Sequence, residues 1–208
     1  MNSQSQSQRP IFLVGMMGSG KSTVGKKLAT VLGRAFIDAD KELELRCGVP
    51  ITTIFELEGE DGFRRREASL ISDLTGEPGL VLATGGGAVL LPENRTVLHE
   101  RGYVVYLKAS VQDLWLRLRN DKVRPLLRTP DPRRRIAELI DARDPLYQAC
   151  AHLTVATGRQ PVERVVAAIV AALPQELRGT APACCTPAQT ALETDPQPDA
   201  RSDASQPD

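Results

Sequence analysis

Several kinds of residue are scarce in this 208-residue chain, and each scarcity excludes a class of protein. Four cysteines and two histidines are present, without a C-x-x-C pair or a His/Cys cluster at metal-ligand spacing, which argues against a zinc site. No apolar run approaches the roughly 18 residues that a membrane-spanning helix needs. The start of the sequence is polar and does not resemble a secretory signal, so we expect a reduced, cytoplasmic protein.

Aromatic residues make up only 4% of the chain, and the net charge is zero, with 26 basic and 26 acidic residues. The charge is unevenly spread, because residues 179–208 carry five acids and one arginine, a net charge of −4, which leaves +4 on residues 1–178. A mildly basic body suits an anionic ligand. The basic clusters lack interleaved aromatic residues, so we predict no nucleic-acid partner. We also predict a monomer with no membrane partner.

The most informative stretch is residues 15–22, Gly-Met-Met-Gly-Ser-Gly-Lys-Ser, which match the P-loop pattern G-x-x-x-x-G-K-[S/T]. An apolar run at residues 11–14 predicts a strand before it, and helical spacing from Val24 predicts a helix after it. Glycines let backbone N–H groups curl around phosphate oxygens at the positive end of that helix. Lys21 adds a full charge, and the Ser22 hydroxyl suits Mg²⁺. A turn that binds nothing would explain the glycines but not the Lys-Ser pair.

Apolar runs and helical patterns alternate along the chain and predict its fold class. The predicted strands are continuous apolar runs, as expected when helices cover both faces of a parallel sheet. We predict a polar lead at residues 1–9 and one α/β domain over residues 10–178. Residues 179–208 contain five prolines and no aromatic residue or helical stripe, so we predict a disordered acidic tail rich in proline and alanine.

Two carboxylates, Asp38 and Asp40, follow the second predicted strand. In an extended segment they would point the same way, about 7 Å apart at Cα, at the strand end where open α/β sheets bind ligands. One could hold water around Mg²⁺ while the other accepts a proton from a substrate hydroxyl. The alternative is an Asx turn that caps a helix beginning at Lys41.

Arginines form a second group of candidates. Arg64 and Glu67 are i, i+3 neighbours on a predicted helix and can orient each other, and an ordered guanidinium grips carboxylates well. A solvated basic face is the better interpretation for Arg65 and Arg66, and for Arg64 the spacing alone does not separate the two. Arg143, at the end of a helix predicted over residues 132–142, is a further candidate anion contact.

Two loops complete the candidates. Gly85-Gly86-Gly87 ends a predicted strand, and three successive glycines are costly in entropy unless the backbone must approach something closely. A ligand ring against the backbone and a plain tight turn both remain open. Residues 117–128 are rich in basic side chains, and we interpret them either as a flap that closes over phosphates or as a solvated loop.

Taken in order, these motifs resemble the shikimate kinase family over about residues 10–173. The resemblance rests on the P-loop and on Asp38-Ala39-Asp40, Gly62-Phe63-Arg64, Ala83-Thr84-Gly85-Gly86-Gly87, Arg124-Pro125-Leu126-Leu127 and Arg143-Asp144-Pro145-Leu146-Tyr147. It implies a three-layer α/β/α fold like the nucleoside monophosphate kinases, with a five-stranded parallel sheet in order 2-3-1-4-5 and a lid near residues 120–131. It also implies ATP-dependent phosphorylation of the 3-hydroxyl of shikimate, in the pathway to chorismate and aromatic amino acids.

The resemblance further implies roles at matching positions. Asp40 is the implied base, Ser22 the Mg²⁺ ligand with Asp38 nearby through water, and Arg124 reaches ATP from the lid. The implied catalytic residues are Lys21, Asp38, Asp40 and Arg124. The implied ATP contacts are Met17, Gly18, Ser19, Gly20, Lys21, Ser22, Arg124 and Gln160. The implied shikimate contacts are Asp40, Arg64, the Gly86 backbone and Arg143, with the arginines on the carboxylate.

Two rival functions remain open. The first is another small-molecule P-loop kinase, acting on gluconate or a nucleoside monophosphate. The second is a module that binds ATP without turnover, which would be expected to have lost Lys21, Asp40 or Arg124. A comparison of ADP release across acceptors separates all three.

Overall fold

The computed structural model describes residues 9–119, 129 and 131–178. Within them, five short strands form one parallel sheet in the order β2-β3-β1-β4-β5, which confirms the predicted topology. The strands are β1 (Ile11–Val14), β2 (Phe36–Asp38), β3 (Val81–Ala83), β4 (Tyr103–Lys108) and β5 (Leu153–Ala156). The tail and most of the proposed lead and lid, including Arg124, lie outside the described residues.

Helices connect the strands and cover both faces of the sheet. They are α1 (Lys21–Leu32), α2 (Ala39–Cys47), α3 (Ile51–Leu74), α4 (Pro92–Arg101), α5 (Val111–Leu118), α6 (Pro132–Cys150) and α7 (Val162–Ala172), with 3₁₀ turns at Ala88–Leu90 and Gln175–Leu177. Gly59 interrupts α3 with a non-helical conformation, φ 69° and ψ −173°. In the part of the chain that the structure describes, no helix combines the length and the apolar character needed to cross a bilayer.

Alternate residues of the central strand β1 enter two different cores. Phe12 and Val14 pack with side chains of α2 to α6, whereas Ile11 and Leu13 pack with side chains of α1 and α7. All four are fully buried. This two-sided burial explains the continuous apolar run in the sequence, and it confirms the three-layer α/β/α architecture.

The observed C-terminal end of helix α6 differs from the predicted one. The predicted end near residue 142 is wrong, because the helix continues through Pro145 to Cys150. A proline inside a helix removes one backbone hydrogen bond and normally favours a break. Here Tyr147 and Cys150, beyond the proline, are buried against the same core as Ile136, so tertiary packing outweighs the local signal.

Candidate active site

The P-loop, residues 15–22, joins the end of β1 to the start of α1. Gly18 and Gly20 adopt positive φ angles of 75° and 97°, and Gly20 occupies the position just before the first helical residue. Residues with a side chain rarely adopt this conformation, so glycine is needed here for its backbone freedom. The loop thereby turns the N-terminus of α1, where the backbone N–H groups have no partner within the helix, toward a cavity of about 440 Å³.

The predicted P-loop and carboxylate residues meet around this cavity. Lys21 lies across the loop, where its Nζ donates hydrogen bonds to the carbonyls of Gly15 (2.8 Å) and Met16 (3.0 Å). The lining includes these residues named from the sequence: Met17, Gly18, Ser19, Gly20, Lys21, Ser22, Asp38, Asp40, Gly86 and Gln160.

Asp38 caps a helix, as the alternative interpretation predicted, and it also contacts the P-loop. It caps α2 by accepting a hydrogen bond from the backbone N–H of Lys41 (3.4 Å), and its other oxygen accepts from the Ser22 hydroxyl (2.5 Å). The hydroxyl and the carboxylate are hard oxygen donors side by side at the P-loop, which fits Mg²⁺.

The expected geometry of Asp40 is wrong. Helix α2 begins at Ala39, so Asp38 and Asp40 do not share an extended segment, and Asp40 lies in the first helical turn. The sequence signal failed because the strand ends directly at the helix cap, with no loop between them. Both carboxylates nevertheless line the cavity.

The three glycines after β3, residues 85–87, form a turn that packs against the site. A Cβ on Gly86 would lie only 3.1 Å from the backbone nitrogen of Met17 in the P-loop. One on Gly85 would collide with the Glu67 carboxylate, and one on Gly87 would collide with the Arg64 guanidinium. The glycines are therefore needed for close approach, as the sequence suggested, and the groups approached belong to the protein itself.

Arg64 and Glu67 form a buried ion pair beside this glycine turn. Arg64 donates to Glu67 at 2.6 Å and to the more exposed Glu60 at 3.1 Å. Burial raises the pKa of the Glu67 carboxyl, which is 3% exposed, while Arg64 opposes that rise. Among the described residues, Arg64 Nε and Glu67 Oε1 are buried polar atoms without a hydrogen-bond partner.

Arg143 also contacts the glycine turn, from helix α6. It lies inside α6, is 6% exposed, and donates from Nη1 to the Gly86 carbonyl at 3.3 Å. Its charge also lowers the pKa of Glu67, against the larger effect of burial. Arg64 and Arg143 thus both contact a turn whose Gly86 packs on the P-loop, so both arginines lie at the same end of the strands as the P-loop.

The sequence did not single out Arg117, which joins two loops of the cavity. Its guanidinium donates to the carbonyls of Gly18 (3.0 Å), Thr157 (2.5 Å) and Gly158 (2.8 Å). It thereby ties the P-loop to the loop that carries Gln160. Its membership of a basic stretch was visible in the sequence, but these three carbonyl partners depend on tertiary structure.

Comparison with known proteins gives a consistent result. The shikimate kinase family profile matches residues 17–174. A shikimate kinase from Burkholderia thailandensis is 57% identical over 156 residues, covering 75% of this chain and 85% of the relative. One from Bordetella avium is 54% identical over 161 residues, covering 77% of each. A solved structure of shikimate kinase from Acinetobacter baumannii in complex with shikimate has a TM-score of 0.76 and 45% identity, covering 79% of this chain and 92% of that one.

Proposed function

This chain belongs to the shikimate kinase family, and we propose on that premise that it transfers the γ-phosphoryl group of ATP to the 3-hydroxyl of shikimate. The products are shikimate 3-phosphate and ADP, on the route to chorismate and the aromatic amino acids. One observation carries the assignment of the site. Two arginines, the partly buried Arg64 and the buried Arg143, contact a glycine turn that packs directly on the P-loop.

On the donor side, the phosphates of ATP bind in the P-loop. The backbone N–H groups of residues 17–22 donate to phosphate oxygens, and the Lys21 ammonium neutralises the developing charge on the transferred group. Ser22 and Asp38 would hold Mg²⁺, Asp38 through water, and the ion would supply charge neutralisation for the phosphates. Gln160 lies near the nucleoside, with Arg117 fixing the loops around it.

On the acceptor side, shikimate offers a carboxylate and ring hydroxyls. Arg64 and Arg143 bind the carboxylate, because charge-assisted hydrogen bonds from an ordered guanidinium are strong and directional. Glu67 holds Arg64 in place through the 2.6 Å ion pair. The Gly86 backbone contacts the ring, and a Cβ at this position would press on the backbone nitrogen of Met17 in the P-loop.

Asp40 is the base. As the 3-hydroxyl oxygen bonds to the γ-phosphorus, the bridging β–γ oxygen leaves with ADP, and the hydroxyl proton passes to the Asp40 carboxylate. Positioning and charge neutralisation account for most of the rate, since the protein forms no covalent bond to either substrate. We propose further that Arg124 meets the phosphates from the lid, and that the enzyme is a cytoplasmic monomer.

A coupled assay of ADP release tests the function. We expect turnover with shikimate, and none above background with gluconate, with a nucleoside monophosphate or with no acceptor. Faster turnover with gluconate or a nucleoside monophosphate would assign the chain to a different acceptor. If calorimetry detects ATP binding but no acceptor stimulates ADP release, the result would favour a module that binds ATP without turnover.

A further inference from the structure

We propose that the hydroxyl group of Tyr147 is a positioning group for the acceptor, because it fixes the peptide plane between Gly86 and Gly87. This inference rests on the function proposed above, in which that turn contacts shikimate. Tyr147 was part of a sequence motif, but neither the P-loop chemistry nor the arginine pair assigns it a role.

The contacts of the Tyr147 side chain all lie inside the site. The residue is fully buried, and its hydroxyl donates to the Gly86 carbonyl at 2.5 Å. The same oxygen lies 3.6 Å from the sulfur of Met16 in the P-loop. Tyr147 follows Arg143 by one helical turn on α6, and both side chains reach the same Gly86 carbonyl. One helix face therefore supplies two donors to one acceptor.

Fixing that carbonyl also fixes the N–H group of the next residue. A peptide unit is planar and trans, so the Gly86 carbonyl and the Gly87 N–H point in opposite directions from one plane. With the carbonyl directed at Tyr147, the N–H faces away from α6. Gly87 itself lies against the Arg64 guanidinium.

Without the hydroxyl, the turn would lose part of this restraint. Backbone hydrogen bonds hold the Gly85 and Gly87 carbonyls, from Ala88 and Leu90, whereas the Gly86 carbonyl accepts from side chains of α6. Glycine residues allow peptide rotations that side chains would block, so the Gly86 peptide depends on those contacts. The Gly86 carbonyl would keep the longer 3.3 Å contact from Arg143. We therefore expect the loss to appear in acceptor binding, and less in the P-loop, where most contacts are internal.

Two further observations favour a constant donor at this position. Burial raises the pKa of the Tyr147 hydroxyl to about 12, so the proton is present throughout the working range of pH. The ring stacks on Tyr106 with centroids 5.0 Å apart and an angle of 21°. Because this stack holds the ring independently of the hydroxyl, Tyr147→Phe removes the hydrogen bond and keeps the packing.

Tyr106 provides a matched control. It is also buried, at 2% exposure, and its hydroxyl donates to Asp144 at 2.7 Å, away from the glycine turn. Tyr106→Phe thus removes a comparable hydrogen bond from the same aromatic stack without touching Gly86. Because the acceptor of Tyr106 is a carboxylate, Tyr106→Phe should lose at least as much thermal stability as Tyr147→Phe.

Steady-state kinetics with both substrates, combined with thermal unfolding, test the proposal. We expect Tyr147→Phe to raise the KM for shikimate about three- to tenfold, in line with the loss of one hydrogen bond, and to leave the KM for ATP within about twofold. Tyr106→Phe should change neither KM by more than about twofold.

Three results would overturn the proposal. One is an unchanged KM for shikimate in Tyr147→Phe, another is an equal rise in both KM values, and the third is the same shikimate effect in Tyr106→Phe. The wild-type enzyme is the check on the underlying function. If it fails to phosphorylate shikimate, the proposed function falls first and this inference with it, whereas wild-type activity with an unaffected Tyr147→Phe overturns the inference alone.

Discussion

The P-loop gathers its anion-binding groups from eight consecutive residues, whereas the groups facing it come from three helices and a turn that are far apart in sequence. Asp40 lies on α2, Arg64 and Glu67 on α3, and Arg143 on α6. The first set consists mostly of backbone amides, and the second mostly of charged side chains. One short motif can encode an anion site made of backbone amides, but a site made of side chains requires the whole fold to bring them together.

Glycine shows the same contrast. Gly20 is required for its conformation, since its φ angle is 97° and a Cβ at this position would lie at an ordinary contact distance of 3.8 Å from the Val24 side chain. Gly87 has an ordinary φ of −103° and is required for space, because Arg64 fills the position of a Cβ. The same residue type thus serves backbone geometry on one side of the cleft and packing on the other.

The largest expected effect is on the donor side. Lys21→Ala should lower kcat by about 10³- to 10⁵-fold, because a cation on the transferring phosphoryl group is lost. Steady-state ADP release measures it. Lys27→Ala, an exposed position on the same helix, is the control and should retain activity close to wild type. A loss below tenfold in Lys21→Ala would show that the backbone amides alone supply the charge stabilisation.

Asp40→Asn tests the group proposed to act where the ATP-binding and shikimate-binding sides of the site meet. We expect kcat to fall by about 10²- to 10⁴-fold while ATP affinity is retained, since an amide cannot accept the hydroxyl proton. Calorimetric titration with ATP and single-turnover kinetics measure the two quantities. Glu42→Gln, also in the first turn of α2, should behave like wild type. A near-normal kcat for Asp40→Asn would remove this carboxylate as the base.

Arg64→Ala should distinguish the shikimate-binding side of the site from the ATP-binding side, because only the KM for shikimate should change strongly. We expect the KM for shikimate to rise by about 30- to 300-fold, because a charge-assisted contact to the carboxylate is lost, and the KM for ATP to change little. Initial rates over a grid of both substrates give both values. Arg65→Ala, its exposed neighbour, is the control. Equal increases in both KM values would instead mean that α3 itself is damaged.

Gly87→Ala should have the smallest effect of these substitutions, and we expect it in the stability of the protein. The new methyl group meets the Arg64 guanidinium, so we expect a loss of about 1–3 kcal/mol in the free energy of unfolding, measured by urea denaturation. In an Arg64→Ala background the space is vacated, and the same substitution should be less harmful. Strictly additive losses would contradict the close-approach explanation.

The sequence predicted most of the fold because its signals are local. Apolar runs predicted the strands, and α5 and α6 each follow a residue of a common N-cap type, Ser110 or Asp131, whose side chain accepts a hydrogen bond from the backbone N–H of Asp113 or Arg134. Residues 15–22 are contiguous, so the P-loop was visible as a unit. The sheet order came from the family resemblance, since strand pairing depends on contacts that no local pattern records.

The errors occurred where tertiary packing overrides a local rule. Helix α6 was predicted to end near residue 142, before Pro145, but it continues to Cys150 because Tyr147 and Cys150 are buried in the core. Asp40 was expected in an extended segment, but the cap at Asp38 starts the helix at Ala39, two residues before the predicted start at Lys41. Arg117 could not be assigned, because its carbonyl partners lie about 40 and 99 residues away in sequence. The roles of the site residues themselves stay predictions until the variants are measured.

The position of β1 in the sheet has a consequence for how the protein is made. β1 is flanked by β3 and β4, whose last residues are Ala83 and Lys108. A ribosome therefore completes the phosphate loop early, yet must add more than 80 further residues before the strand that carries it has both neighbours. Parallel pairing over such distances forms slowly. Nascent chains arrested before Lys108 should consequently show no protection of the loop by ATP against proteolysis, although its whole motif has been synthesised.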